Sequence, residues 1–322
     1  MNITITGNLG SGKSSVCKEL EKSGFTIISA GDIFREIAAE KGMTVLELNE
    51  AAKKDRSIDD LLDQRSTKLG KEMDHTVFDS RLAWHFVENS FKVFLLVDTQ
   101  EAARRVFAGA DRSAESYQDM EKARAGLETR AKLEQERFRQ LYGIDYYDVC
   151  NYDLIIESSC ASPDQIAQEI QRNFELYQRQ PFPTKLELNL RRLHPSVSFD
   201  QIGQIQQSHQ FNQIKQQGFD RQVRPESGNE QTLCAEDSFL VTQKDGAFYL
   251  VEHGEHEKAF AAAGAGKVFA QIREMRTDEN AQKQIQQLPQ SEIVKFAQAG
   301  GFDGWQQESG QAGYMADFSK MF

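Results

Sequence analysis

The chain has 322 residues and a formal net charge of −11 at pH 7, and 39% of its residues are hydrophobic. Its length is enough for two domains, because one hydrophobic core seldom serves more than roughly 250–300 residues. The acidic balance argues against nucleic acid or an anionic membrane surface as the main partner, and no apolar run approaches the roughly 20 residues that a membrane-spanning helix needs.

A glycine-rich loop lies near the start of the chain, between a predicted strand over residues 1–6 and a predicted helix over residues 15–22. The loop reads GNLGSGKS and matches the pattern G-x-x-x-x-G-K-[ST] in full. In such loops the glycines let backbone N–H groups surround a polyphosphate, and the helix N-terminus adds partial positive charge. Lys13 can then reach the β- and γ-phosphates, and Ser14 can hold Mg²⁺. The residues predicted to bind the nucleoside triphosphate are Gly7, Asn8, Gly10, Ser11, Gly12, Lys13, Ser14 and Ser15.

A second strand is predicted over residues 25–29. A strand–helix–strand unit of this length implies a right-handed parallel crossover and the doubly wound α/β class, in which ligands bind beyond the carboxyl ends of the strands. Arg35 lies one turn into the helix that follows this strand. It can hold a phosphate through a bidentate contact, or it can be a solvated helix arginine, and its position alone does not decide between the two.

The third predicted strand, over residues 75–79, ends in Asp79, which is placed to hold the water shell of Mg²⁺ beside the phosphate loop. Arg81 follows it and is predicted to lie beside the acceptor pocket. Two helices precede this strand, over residues 43–54 and 57–71. On the second of these helices, Arg65 is the charged residue for which a functional role is considered.

Two further strands are predicted over residues 93–97 and 153–156, and a helix over residues 163–177 comes after them. Together these elements predict a P-loop doubly wound sheet of five parallel strands. The segment between the last two strands, residues 99–142, is long, rich in arginine and mostly helical. It can be a solvated surface, or a lid that closes over the donor and supplies arginines to the transferring group.

Residues 1 to about 178 resemble the short, archaeal-type cytidylate kinases, a family of P-loop nucleoside-monophosphate kinases. The stretches that carry the resemblance, in the order and spacing of the family, are GNLGSGKSS, ISAGDIFRE, RSIDDLLDQRS, VFDSRLAW and RFRQLYGIDYYDVCNYDLII. The resemblance implies phosphoryl transfer from ATP to CMP or dCMP with Mg²⁺ as the metal ion.

The resemblance also implies roles for individual residues. Lys13 and Ser14 would serve the donor nucleotide, with Ser14 as the metal ligand. The residues that would bind the acceptor monophosphate are Ser29, Asp32, Arg35, Arg65 and Arg81. The catalytic candidates are Lys13, Asp79 and two lid arginines, Arg130 and Arg137.

Two departures from the family pattern bear on turnover. Asp79-Ser80-Arg81 stands where the family usually has Glu-Gly-Arg, and Gln135 replaces the middle arginine of the lid. Loss of a principal arginine finger costs about 10³–10⁵-fold in rate. Nucleotide binding is therefore predicted more firmly than fast catalysis.

The composition changes near residue 178, where glutamine becomes frequent and Pro181 and Pro183 mark a linker over residues 179–185. A disordered, glutamine-rich tail is one interpretation of the rest of the chain. Strand patterns oppose it, over residues 186–190, 238–242, 247–251 and 268–272. We therefore expect a first domain over residues 1–178, a smaller α+β domain over residues 186–276, and a helical, glycine- and aromatic-rich tail over residues 277–322.

The second part of the chain resembles, more weakly, the ParB/sulfiredoxin-like fold. The nucleotide-binding signature of that family, G-E-R-R, corresponds here to Gly254-Glu255-His256-Glu257. Both arginines are replaced, which puts phosphate binding at this position in doubt.

Partner and compartment predictions are based on composition. The four cysteines form no C-x-x-C pair and indicate neither a disulfide framework nor a zinc site. No cationic targeting segment precedes the first strand, so we expect a soluble, cytoplasmic protein whose main partner is a nucleoside monophosphate, and neither nucleic acid nor a membrane. The sequence does not predict an oligomeric state.

Three functions remain open at this point. The first is an ATP-dependent CMP or dCMP kinase with a fused accessory domain, which Arg35 and Asp79-Ser80-Arg81 favour. The second is another small-molecule kinase. The third is a nucleotide-binding sensor with little turnover, which Gln135 and the altered signature of the second part favour.

Overall fold

The structure is a computed structural model that describes residues 1–52, 55–109, 117, 119–198, 201, 238–244, 247–264 and 266–287. Its strands are β1 (Asn2–Gly7), β2 (Thr26–Ser29), β3 (Thr76–Asp79), β4 (Ser90–Leu96), β5 (Leu154–Glu157), β6 (Lys185–Asn189), β7 (Leu193–His194), β8 (Ser238–Lys244), β9 (Ala247–Leu250) and β10 (Phe269–Met275). Its helices are α1 (Lys13–Lys22), α2 (Ala30–Glu40), α3 (Val45–Ala52), α4 (Ser57–Glu72), α5 (Ala83–Phe86), α6 (Thr99–Ala108), α7 (Met120–Tyr142), α8 (Pro163–Arg179), α9 (His253–Gly264) and α10 (Glu279–Gln287). No helix in these ranges is both long and apolar enough to cross a membrane.

The first five strands form a parallel sheet in the order β2-β3-β1-β4-β5. This is the five-stranded doubly wound sheet that the sequence predicts. Ile5 of β1 and Ser29 of β2 both lie in register with Asp79 of β3. Because parallel strands end at the same edge, this register brings the phosphate loop, the start of α2 and Asp79 together.

The sheet continues beyond β5 into the C-terminal part of the chain. Strand β6 pairs in parallel with β5, and the order then runs β6-β10-β8-β9-β7. The predicted hairpin is confirmed, since β8 and β9 pair antiparallel. The predicted linker over residues 179–185 thus precedes a strand that extends the same sheet, so the predicted second domain does not form a sheet of its own. Residues 288–322 of the predicted tail lie outside the described residues.

Two hydrophobic cores cover the two faces of the sheet. Along β4 the side chains alternate between them, with Val93 and Leu95 in one core and Phe94 and Leu96 in the other. Strand β4 is therefore buried on both faces, as its apolar run predicts. The core that holds Phe94 also includes Leu188 of β6, so apolar packing, like the sheet, crosses the predicted linker.

Candidate nucleotide-binding site

The phosphate loop joins β1 to α1 at the carboxyl edge of the sheet. Gly10 and Gly12 have φ angles of 78° and 88°, in the left-handed region that glycine enters without steric cost. Gly7 is required for a different reason, since a Cβ atom on it would come within 2.5 Å of the carbonyl oxygen of Leu95. The glycines of the motif are thus explained by the shape of the loop and its close approach to β4.

An arginine outside the motif holds the loop in place. Arg105 on α6 donates from Nη1 to the carbonyl oxygen of Ser11 at 3.2 Å, and from Nη2 to the carbonyl oxygens of Ser158 and Ser159 at 2.6 and 3.0 Å. Its Nε donates to Oε1 of Glu101 at 2.8 Å, so its charge is balanced by a carboxylate. Arg105 therefore joins the phosphate loop to the loop after β5.

The polar side chains of the loop differ in their surroundings. The Asn8 amide oxygen accepts a hydrogen bond from the backbone N–H of Val97 at 3.2 Å. The hydroxyl of Ser11 is buried and has no hydrogen-bond partner within the described part of the chain. Ser14 is exposed, and Ser15 is half-buried. The loop thus offers hydroxyl groups to a ligand in addition to its backbone N–H groups.

Lys13 is the positive side chain at the first turn of α1. It makes no ion pair or hydrogen bond with any residue that the structure describes. Burial and then the positive charge of Arg81 lower the pKa of Lys13 to about 8, against the opposing charges of Asp79 and Glu134. The structure therefore groups Lys13 with Asp79 and Arg81, and leaves its ammonium group available to an anionic ligand.

One carboxylate links Arg81 to the predicted lid. Arg81 Nε donates to Oε2 of Glu134 at 3.1 Å, and Arg130 Nε donates to Oε1 of Glu134 at 3.0 Å. The side chains of Arg81 and Glu134 are only 20% and 22% exposed. Glu134 thus holds a predicted acceptor arginine and a predicted lid arginine, and a bound phosphate group would compete with it for both.

The other predicted acceptor residues lie on α2 and α4. Ser29 and Asp32 form a capping box at the start of α2, in which Ser29 Oγ accepts from Asp32 N at 3.0 Å. Arg35 is exposed and pairs with Asp32. Arg65 donates to both carboxylate oxygens of Glu40, at 2.9 and 2.8 Å. The structure therefore places Arg35 close to the edge of the sheet, whereas Arg65 is bound to the C-terminal end of α2.

Two residues of α7 are engaged by carboxylates away from the Lys13 group. Arg137 Nη2 donates to both carboxylate oxygens of Asp59 on α4, at 2.9 and 2.8 Å. Gln135, in the place of the middle lid arginine, donates to both carboxylate oxygens of Asp145 at 2.9 and 3.0 Å. Of the two predicted lid arginines, Arg130 joins the group around Arg81, and Arg137 joins α4 instead.

A cavity of about 530 Å³ opens beside the phosphate loop. This volume is within the usual range for small-molecule sites. Gly10 and Gly12 line it from the loop, while Val16, Val106 and Ile166 provide apolar walls. The cavity can therefore hold the nucleoside part of a nucleotide whose phosphates lie on the loop.

Comparison with known proteins is consistent with this geometry. A sequence model of the cytidylate kinase-like family matches residues 2–160. The chain is 38% identical over 162 residues to a cytidylate kinase of Methanocella arvoryzae, and the alignment covers 49% of this chain and 88% of that protein. The chain belongs to the cytidylate kinase-like family.

A second cytidylate kinase aligns with a similar share of this chain. A cytidylate kinase of Natronomonas pharaonis is 37% identical over 180 residues, which cover 55% of this cytidylate kinase-like chain and 91% of that protein. A solved shikimate kinase from Bacteroides thetaiotaomicron has a TM-score of 0.38 and 18% identity, and covers 55% of this chain and 98% of that chain. The alignments with the two cytidylate kinases account for about half of the chain.

Sequence reasoning did not assign a role to three residues of this cytidylate kinase-like site. One of them, Glu134, carries a local signal, because it lies four residues after Arg130, the spacing at which side chains meet on a helix. The contact of Arg105 with the phosphate loop and that of Asp59 with α7 carry no such signal. Their partners lie 94 and 78 residues away in the sequence.

A pH-dependent contact lies between α4 and α7 of this cytidylate kinase-like chain. Tyr142 Oη donates to Oδ2 of Asp63 at 2.8 Å. Burial raises the pKa of Asp63 to about 6 against the hydrogen bond from Tyr142, and the charges of Asp59 and Asp60 add to the increase. The Asp63 carboxyl group therefore binds its proton more tightly in the folded state than in the unfolded state. The stability of the fold falls as the pH rises from about 4 to about 6, and the loss persists at higher pH.

Asp63→Asn is expected to raise the free energy of unfolding by about 1 kcal/mol at pH 7.5. The substitution removes a carboxylate whose ionised form is destabilised by burial in the folded state. The amide oxygen can still accept the hydrogen bond from Tyr142. Urea denaturation at pH 7.5 and pH 4.5 measures the effect, which should be about a third as large at the lower pH, because most of the titration lies above it. Glu72→Gln, at the exposed end of the same helix, is the control and should change little. Equal stability of wild type and Asp63→Asn at pH 7.5 would contradict this account.

Proposed function

We propose that this chain transfers the γ-phosphoryl group of ATP to a nucleoside monophosphate, with CMP or dCMP as the preferred acceptor, and that it uses Mg²⁺. The observation that carries the proposal is the position of Lys13. This half-buried cation makes no ion pair with a carboxylate in the described residues, and it lies at a complete phosphate loop beside a second cation, Arg81. The names of the relatives, which are cytidylate kinases, support the choice of acceptor.

The residues present fit a triphosphate and a magnesium ion. The buried hydroxyl of Ser11 has no hydrogen-bond partner in the described residues, and a phosphate oxygen would supply one. Ser14 and Asp79 provide hydroxyl and carboxylate oxygens at the carboxyl edge of the sheet, and Mg²⁺ prefers oxygen ligands. When bound, the ion would neutralise charge that develops on the β- and γ-phosphate oxygens.

The residues of the chain mainly position the reactants and balance their charge. An oxygen of the acceptor phosphate attacks the γ-phosphorus of ATP, and the bond from that phosphorus to the β–γ bridging oxygen breaks. The products are a nucleoside diphosphate and ADP. Lys13 is placed to stabilise the donor phosphates, and Arg81 the acceptor phosphate, so that the two anions can approach each other.

Exchange of partners by Arg81 and Arg130 is part of this proposal. In the structure both arginines share the carboxylate of Glu134. A phosphate dianion is a stronger partner for an arginine fork than one shared carboxylate. Binding of the acceptor would thus draw Arg81 toward the phosphate. Arg35 would approach from α2, where its only carboxylate partner in the described residues is half-buried Asp32.

A nucleotide sensor with little turnover is the second candidate. The observation that favours it is the engagement of the lid, where Gln135 is bound to Asp145 and Arg137 to Asp59. Neither side chain then brings positive charge to the transferring group. A protein of this kind would bind ATP and the acceptor but release diphosphate slowly.

A screen of monophosphates tests the proposal. The full chain is incubated with ATP and Mg²⁺ and each ribo- and deoxyribonucleoside monophosphate, and the diphosphates are separated by anion exchange. We expect CMP or dCMP to have a kcat/KM at least about tenfold above that of any other acceptor, which corresponds to about 1.4 kcal/mol of discrimination. Phosphorylation of a different monophosphate would support another kinase activity. ATP binding without any diphosphate formation would support the sensor.

A further inference from the structure

A short turn in the unmatched half of the chain lies against the donor side of the phosphate loop. The turn spans Leu190–Arg192, directly after β6, and lies beyond the residues that the family model matches. Arg192 is buried, with 6% of its side chain exposed, and its Nη2 lies 3.3 Å from Oδ2 of Asp98. A buried ion pair of this kind requires a defined geometry, so it fixes the position of the turn.

Asp98 connects this ion pair to the phosphate loop. Its other carboxylate oxygen accepts from the backbone N–H groups of Gln100 and Glu101, each at 3.0 Å, and thereby caps α6. The same helix carries Arg105, whose guanidinium binds the carbonyl oxygen of Ser11. Arg192 is thus attached to the element that holds the phosphate loop.

The neighbouring residue, Arg191, lines the cavity beside the loop. Its Nη1 donates to the carbonyl oxygen of Cys160 at 3.4 Å. The two other arginines of the cavity, Arg104 and Arg105, both bind Glu101. Arg191 has no carboxylate partner among the residues that the structure describes, so its charge is available to a ligand in the cavity.

The surroundings of Arg191 suit the nucleoside end of the donor. Val16 and Ile166 give the cavity apolar walls, and the loop glycines line the same cavity. With the phosphates on the loop N–H groups, the base would reach the apolar part. A guanidinium plane can stack on an aromatic base and donate hydrogen bonds at its edge.

We infer that Arg191 is a donor-binding residue that contacts the base or ribose of ATP, and that the C-terminal half of the chain thereby completes the donor site. This inference depends on the proposed function, because it takes the cavity to be the ATP site. It assigns a role to a residue that lies beyond residues 2–160, which the family model matches.

Equilibrium binding to the full chain tests the inference, with ATP and inorganic tripolyphosphate as the two probes. We expect Arg191→Ala to weaken ATP binding about tenfold and to leave tripolyphosphate binding unchanged, because the lost contact is to the nucleoside. Arg191→Lys should recover only part of the affinity for ATP, since lysine lacks the planar fork. Arg179→Ala, at the exposed C-terminal end of α8, is the matched control and should bind both probes as wild type does.

Lys13→Ala separates failure of the inference from failure of the proposed function. If Lys13→Ala loses affinity for both probes while Arg191→Ala binds ATP as wild type does, the inference is wrong and the proposed function stands. If Lys13→Ala keeps full affinity for ATP, the proposed function itself fails. Equal losses of ATP and tripolyphosphate in a folded Arg191→Ala protein would place the contact at the phosphates and overturn the assignment to the nucleoside. Should Arg191→Ala not fold, Arg191→Gln, which keeps a donor for the Cys160 carbonyl oxygen, gives the same comparison.

Discussion

Replacement of Lys13 by alanine is expected to lower the rate of phosphoryl transfer by about 10²–10³-fold or more, the usual effect of removing one preorganised group that stabilises charge in the transition state. ATP binding should weaken as well. The reason is the environment of the Lys13 side chain, which is half-buried and makes no ion pair with a carboxylate in the described part of the chain. In the absence of nucleotide, the charges of Asp79 and Glu134 offset only part of the desolvation cost of the Lys13 ammonium group.

The pKa of Lys13 gives this prediction a second measurement. Since burial and Arg81 lower the pKa to about 8, the unliganded protein loses this positive charge as the pH rises through 8. ATP affinity of the wild type should therefore fall above pH 8, and that step should be absent from Lys13→Ala. Lys18→Ala, an exposed lysine on the same helix, is the control. Unchanged ATP affinity and turnover in a folded Lys13→Ala protein would remove the phosphate loop from the mechanism.

Replacement of Arg81 by alanine is expected to lower kcat/KM for the monophosphate about 30-fold to several thousand-fold. This corresponds to a loss of on the order of 2–5 kcal/mol of transition-state stabilisation, as when a buried charge pair loses one partner. Arg81 is mostly buried, and its Nε donates to Glu134 at 3.1 Å. Without Arg81, the acceptor phosphate would meet the negative charge of Glu134, which would keep its ion pair with Arg130.

Steady-state kinetics with CMP and with ATP as the varied substrate measure this effect. The loss should lie mainly in the parameters for CMP, because Arg81 is proposed to hold the acceptor. Arg81 also lowers the pKa of Lys13, so the step in the pH profile of ATP binding should move to higher pH in Arg81→Ala. Arg124→Ala, on the same helix as Glu134, is the control. A normal KM for CMP in Arg81→Ala would refute its role as an acceptor residue.

The features of this protein that could be predicted from the sequence are those set by interactions between residues close together in the chain. The glycines at positions 10 and 12 meet a local requirement for positive φ, and the capping box of Ser29 and Asp32 closes within four residues. The apolar run of β4 predicts a strand buried on both faces, because each of its residues enters one of two cores. The phosphate loop, the order of the first elements and the location of the site at the carboxyl edge of the sheet follow from such patterns.

The tertiary structure decided which partner each charged side chain takes. An arginine on a helix has the same local signature whether it binds a ligand, a carboxylate or water. Arg137 pairs with Asp59 and Arg65 with Glu40, whereas Arg81 meets Glu134, and none of these pairs has helical spacing in the sequence.

Only the tertiary structure showed that the C-terminal part extends the first sheet. The alternating pattern predicts burial of Leu186 and Leu188, whereas all five residues of β6 are buried, and the pattern does not state which strand lies beside it. The linker prolines near residue 182 therefore indicated a separate domain, while β6 pairs with β5, and the turn after β6 brings Arg191 to the cavity beside the phosphate loop and Arg192 to Asp98. Strand pairing and buried ion pairs depend on the distance between residues far apart along the chain, and that distance is set when the described strands join in one sheet with a hydrophobic core on each face.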